Sequence, residues 1–371
     1  MSRRFFFSFC ISKERNRTMI ELKPQTLALL DEIESRIDPE IEDDFRRQWS
    51  DFLHHRFTGD IFSPKRRQKS ASSLPRRDVR INETLDDLEA MLYAQLLNVS
   101  DALESDNKNL SVRANYGTGI LSSVLGAELF ILPDACNTLP TTRPLAGQGA
   151  IERLLERGMP SLTDGLGSRV FSAGELFREV FARYPKIEKY VEIYHPDLQG
   201  PLDICELMWG EDLFYAMYDE PELVAAVMQL ITDTYMRFME RWQALVPPRD
   251  DICCHWDNVM HRGQIVLRND SAMNLSPEFY DTFARAFDSQ LMERYGGVIH
   301  FCGRGDHYIH LLKTIPNIYG VNMSQPHLND MATIYQNTVD CGIQLLAFDR
   351  AAALRDLSRP GAFHSNLHCF L

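Results

Sequence analysis

An α/β fold is predicted by three features of this sequence. From about residue 110 onward, some eight short β-rich runs alternate with helical patterns. The first hundred residues read as helical instead. No glycine-rich phosphate loop follows any of the runs, which argues against an open, doubly wound sheet. Together these features specify a (β/α)8 TIM barrel with an N-terminal helical extension.

Residues 1–18 read as a disordered extension or an artefact of the start site. Met1-Ser2-Arg3-Arg4 followed by Phe5-Phe6-Phe7 is too short and too soon interrupted by Arg15 and Arg17 for a leader. Residues 19–109 form the helical region packed on the barrel, with stripes at Leu27, Leu29, Leu30, Ile33, Ile37 and at Leu85, Leu88, Leu92, Leu96, Leu97. Between the stripes, the Ser/Pro/basic stretch from Ser63 to Arg77 reads as a solvated loop. Residues 110–371 form the catalytic barrel. Its predicted strands lie at 111–116, 130–132, 191–194, 264–267, 298–301, 319–323, 343–348 and 363–369. Capping boxes at Ser172–Glu175 and Asp219–Glu222 and a Ser276-Pro277 start mark helices between them. The aromatic and Met stripe from Val224 to Trp242 is core packing.

Composition excludes several functions. The chain has 371 residues, is 44% hydrophobic and 25% charged, and carries a net charge of −13. That charge repels phosphate backbones, so nucleic acid is not an expected partner. No apolar run is long enough for a membrane span. The 8 cysteines are scattered rather than spaced as a disulfide framework, which fits a reduced, cytoplasmic protein.

The sharpest local signal is Gly297-Val298-Ile299-His300-Phe301-Cys302-Gly303. Residues two apart on a strand share a face, so His300 and Cys302 project together at the strand's C-terminal end. Barrel active sites lie at that end. An imidazole and a thiolate so placed suit Zn2+. Cys369, closing the last predicted strand, is the expected third ligand, with His368 and His364 as alternatives. Other polar residues fall at strand ends: His195 with Asp197, Asn322 with Ser324 and Gln325, and Asp349 with Arg350. His195, Asn322 and Asp349 are substrate-binding candidates on that ground.

The segment from His261 to Ser271, with Leu275-Ser276-Pro277-Glu278, resembles the uroporphyrinogen decarboxylase superfamily, where an Asp-Ser pair ends a barrel strand and Leu-Ser-Pro-Glu opens the next helix. His300-Phe301-Cys302-Gly303 is similar to the zinc motif of its methylcobamide:coenzyme M methyltransferases, whose last cysteine ligand Cys369 would match. The resemblance covers residues 110 to the end. The first hundred residues are more like other bacterial members of the superfamily. It implies a zinc-dependent methyltransferase carrying a methyl group, corrinoid-borne, to a zinc-activated thiol. A corrinoid protein is then the implied partner, and Asp270 and His307 would orient the acceptor. The decarboxylases' arginine-rich segment has no counterpart here. Arg113 is kept as a substrate-binding candidate, but one guanidinium does not suit a substrate with many carboxylates. A decarboxylase acting in porphyrin metabolism and a non-catalytic binding barrel are the alternatives.

Overall fold

The structure, a computed structural model, describes residues 21–370. The extension read at residues 1–18 lies outside them. Twelve strands occur among the described residues. They are β1 (Ile61–Phe62), β2 (Ser111–Val112), β3 (Leu129–Phe130), β4 (Thr141–Thr142), β5 (Glu192–Ile193), β6 (Ile252–His255), β7 (Val259–Arg262), β8 (Ile265–Arg268), β9 (Gly297–Phe301), β10 (Ile318–Met323), β11 (Gln344–Leu345) and β12 (Leu367–His368).

Six strands form one parallel sheet in the order β1-β12-β11-β10-β9-β8. β2 and β5 form a separate parallel pair. β3 with β4 and β6 with β7 are antiparallel hairpins. The fold is therefore α/β with a parallel sheet, but the ladder is not closed. Among the described residues no strand pairing joins β1 to β2 or β5 to β8. A physical reason is visible at the second seam. Val266 donates its N–H to His195 Nε2 at 3.3 Å, so an imidazole takes the place a neighbouring strand's carbonyl would fill. Gly200 N–H still reaches the Arg268 carbonyl at 2.8 Å beyond it.

Five strands differ from expectation, since β1, β4, β6 and β7 lie outside the predicted runs and β3 pairs outside the large sheet. The run at 130–132 belongs to the β3–β4 hairpin, outside the large sheet. Its place is taken by β1, which lies inside the predicted helical region and pairs Ile61 with Leu367 and Phe62 with His368. The box at Ser172 does not start a helix, because it lies within the helix Gly167–Phe181. The Pro221–Leu245 helix and its buried stripe are as expected.

Strand alternation divides the core in two. Ile265, Leu267, Ile299, Phe301, Val321, Leu345 and Leu367 face the helices. Tyr194, Val266, Val298 and Leu346 face the opposite way, onto a second core built by the β6–β7 hairpin and by Phe45, Trp49 and Phe52 of the helix Pro39–Leu53. The hairpin thus fills the space inside the sheet, and its tip residue Trp256 comes within 5.6 Å of the His300 ring.

The basic stretch is neutralised from within. Arg66 is buried, pairs with Glu42 at 2.7 Å and donates to the carbonyls of Ala102, Ser105 and Lys108. Arg77 pairs with Glu83 at 2.8 Å, and Arg76 with Asp101 and Glu104. No helix among the described residues is long and apolar enough to cross a membrane.

Candidate metal centre

Register places the site. Arg268 on β8, His300 on β9 and Asn322 on β10 are direct neighbours across three parallel strands. They form one row on the inner face. Two residues further along, just past the strand ends, Asp270, Cys302 and Ser324 form the next.

Within these rows the ligand atoms of Asp270, His300 and Cys302 all lie within 4.8 Å of one another. His300 Nε2 is 3.4 Å from Cys302 Sγ and 3.4 Å from Asp270 Oδ1. Donors held at zinc's bond lengths in a tetrahedron stand about 3.4–3.6 Å apart. Both separations from His300 Nε2 match that spacing. The donor set also suits a borderline-soft cation: one imidazole, one thiol, one carboxylate.

Each donor is aimed by its neighbours. Asn322 donates through Nδ2 to the Leu346 carbonyl at 2.6 Å, which leaves its Oδ1 to accept from His300 Nδ1–H at 2.5 Å. The His300 Nε2 lone pair is thereby free to bind a metal. Asp270 Oδ1 accepts the Cys302 N–H at 2.7 Å. The turn that carries Asp270 is held from below by Asp203, whose carboxylate accepts the N–H groups of Asp270 and Ser271 at 3.0 and 2.9 Å. Burial pushes the Asp203 carboxyl up to about 7.

Without a cation His300 and Cys302 favour their neutral forms. Burial lowers the His300 pKa and raises that of the half-buried Cys302 thiol, which lies 3.4 Å from Ser324 Oγ. A divalent cation inverts that preference by stabilising the thiolate.

No protein-family model and no curated protein matches this sequence. The fold is similar to that of a methyltransferase from Methanosarcina mazei. The TM-score is 0.59 at 12% identity, over 88% of this chain and 93% of that chain. At that identity the likeness is one of fold.

The other predicted site residues lie outside the donor set. Cys369 is buried, three strands along the sheet from β9, and outside the Asp270–His300–Cys302 grouping. Alternation explains it: Leu367 and Cys369 join the helix-side core, while His368 turns inward against Trp49 and Phe62. His368 Nδ1 accepts the Ala347 N–H at 3.0 Å. His364 is exposed, 3.4 Å from Asp340. His307 donates from Nε2 to the Leu275 carbonyl at 2.9 Å, which pins it as a loop clasp. Asp349 caps the helix Arg350–Arg355, accepting from Ala352 N–H at 2.7 Å. Asn322 serves His300. His195 is buried in the β5/β8 seam, donating from Nδ1 to the Pro196 carbonyl at 2.7 Å. Arg113 reaches Asp197 at 3.5 Å.

One site residue differs in role from the sequence expectation, and another is not among the residues the sequence singles out. Asp270 was expected to orient an acceptor, but it stands among the possible ligands. Arg268, two residues before it on the same face, was not singled out. The inward alternation Val266, Arg268, Asp270 was the signal for both.

Proposed function

We propose that this chain is a cytoplasmic zinc-dependent methyltransferase of the uroporphyrinogen decarboxylase superfamily. In this reading it transfers a methyl group, corrinoid-borne, to a thiol. The observation that carries the reading is the convergence of His300 Nε2, Cys302 Sγ and a carboxylate oxygen of Asp270 within 4.8 Å of one another, with both separations from His300 Nε2 at 3.4 Å. The fold likeness to the Methanosarcina mazei methyltransferase supports it. The working architecture is a (β/α)8 barrel over 110–371 that takes its missing strand, β1, from the helical region 19–109. Sheet neighbours that follow chain order from β8 to β12 support it.

His300, Cys302 and Asp270 would hold the metal, with Asp270 in the position that the sequence reading gave to Cys369. Bound there, zinc supplies Lewis acidity that lowers the pKa of an incoming thiol. Asn322 keeps the proton on His300 Nδ1. Asp270, with 43% of its side chain exposed, offers its second carboxylate oxygen to the proton that the thiol gives up. The β6–β7 hairpin closes the inner side and restricts water there.

The test loads purified full-length protein with zinc and mixes it with methylcobalamin and 2-mercaptoethanol. Loss of the cobalt–methyl absorbance that requires both thiol and zinc is the expected result. Unchanged absorbance, with about one zinc per chain present, would overturn the methyltransferase reading.

A further inference from the structure

Beside the metal centre lies a second cluster with a different chemistry. Asp197 Oδ2 is 2.5 Å from Arg268 Nη1 and 3.5 Å from Arg113 Nη1. Its other oxygen accepts from Gln199 Nε2 at 2.6 Å. Two guanidiniums therefore share one carboxylate that is already occupied on both oxygens. Each guanidinium also lies over an aromatic ring, Arg268 at 5.2 Å from the Trp256 centroid and Arg113 at 5.9 Å from that of Tyr194.

The histidines packed around the pair add no negative partner. His195, His255 and His261 crowd the same space, with ring centroids 5.1 Å apart for His195–His255 and 6.3 Å for His255–His261. Burial keeps all three neutral. Arg268 Nε is buried and has no hydrogen-bond partner, and neither has His255 Nδ1. His255 Nε2 faces Arg268 Nη2 at 3.4 Å and so accepts from it, which leaves Nδ1 as an unmet N–H donor. Buried donors without acceptors are costly and call for an explanation.

The backbone around the cluster is strained as well. Gln199 and Trp256 hold φ angles of 61° and 55°, left-handed values that non-glycine residues avoid. Such positions persist where the surrounding structure holds them, and they gather at ligand clamps.

We propose that Arg268 and Arg113 form an anion-binding floor beside His300, accepting a single carboxylate-type group of the substrate. Its position rests on the metal reading, because Arg268 is the direct strand neighbour of His300. The floor accommodates one negative charge, since two guanidiniums face Asp197. A substrate with several carboxylates would leave the rest unpaired. This gives the site a specificity for a singly anionic substrate that the metal donors alone do not supply.

The experiment titrates acetate and its neutral isostere acetamide into the full chain by calorimetry at constant ionic strength. Zinc-loaded and metal-free samples are run in parallel, and zinc content is measured in each. Acetate is expected to bind at least ~10-fold tighter than acetamide in both. Arg268→Lys keeps the charge on Asp197 but loses the planar fork, and is expected to weaken acetate at least ~10-fold. Arg113→Lys, on the longer contact, serves if the first variant fails to fold. Equal binding of acetate and acetamide, or unchanged acetate binding in the folded variant, would overturn the proposal. Acetate selectivity lost with zinc retained removes this inference alone. Zinc absent with acetate selectivity intact removes the metal reading alone.

Discussion

His300 Nδ1 and Asn322 Oδ1 lie 2.5 Å apart, and this contact decides which ring nitrogen is available to a metal. Asn322 can only accept there, because its Nδ2 is committed to the Leu346 carbonyl. Asn322→Leu removes the acceptor and lets the ring proton move to Nε2. Zinc affinity should fall about 10–100-fold, the usual cost of losing such an outer partner. Competition against a chromophoric chelator measures it, and unchanged affinity would show that the tautomer is set elsewhere.

Asp270 and Cys369 compete for the third ligand position, and two substitutions separate them. Asp270→Asn should lower zinc affinity by at least ~10-fold, since a neutral amide oxygen replaces an anionic ligand. Cys369→Ser should retain about one zinc per chain and lower the melting temperature instead. The thiol is buried in the helix-side core, and a hydroxyl there lacks the same packing. The reverse pattern would restore Cys369 as the ligand.

The difference between those residues also marks what the sequence made legible. Period-two alternation puts His300 and Cys302 on one face, and Nε2 and Sγ lie 3.4 Å apart because both residues belong to one strand and its extension. The same rule, applied to 367–369, turns Cys369 away from the inner face, since Leu367 faces the helices. The strand-end position suggested convergence, but side-chain direction decided it. β1 was not legible: two residues just before the Ser/Pro/basic stretch carry no periodicity, and only pairing with Leu367 and His368 makes them a strand. The seam at β5/β8 was hidden for a related reason. His195 reads as a strand-end polar residue, and its bond to Val266 N–H depends on tertiary placement.

Buried histidines predict a pH dependence whose sign can be worked out. Burial pushes His195 and His261 to about 4 and His368 to about 3. The unfolded chain binds protons at these groups from about 6.5 downward, while the folded chain does not. Stability therefore falls as pH drops from about 6.5, by up to about tenfold in the folding equilibrium per pH unit per histidine. Asp203 and Asp288, pushed up to about 7 and about 6 by burial, act in the opposite sense over an overlapping range. A difference measurement cancels them. His368→Asn keeps an acceptor for the Ala347 N–H, and the parent's stability advantage over it should shrink steadily from pH 6.5 to 4. Denaturant unfolding at several pH values tests this. A pH-independent difference would mean that His368 is charged or exposed.

Gly303 follows Cys302 at φ 73°, where a Cβ would come within 2.5 Å of Met273 Sδ. Its N–H donates to Gln325 Oε1 at 2.6 Å, one residue beyond the Cys302 N–H bond to Asp270. The loop that aims the thiol therefore depends on this conformation. Gly303→Ala incurs two separate penalties. The left-handed backbone costs roughly 1–2 kcal/mol for an L-residue, and the Met273 side chain must move. Met273 is a flexible side chain with 43% exposure, so its movement is the smaller cost. Gly303→Ala should thus lower stability by about 1–2 kcal/mol and weaken zinc binding as the Cys302 N–H shifts from Asp270. The double variant Gly303→Ala/Met273→Ala should recover little of either. Full recovery on removing the Met273 side chain would place the cost in the contact and not in the backbone.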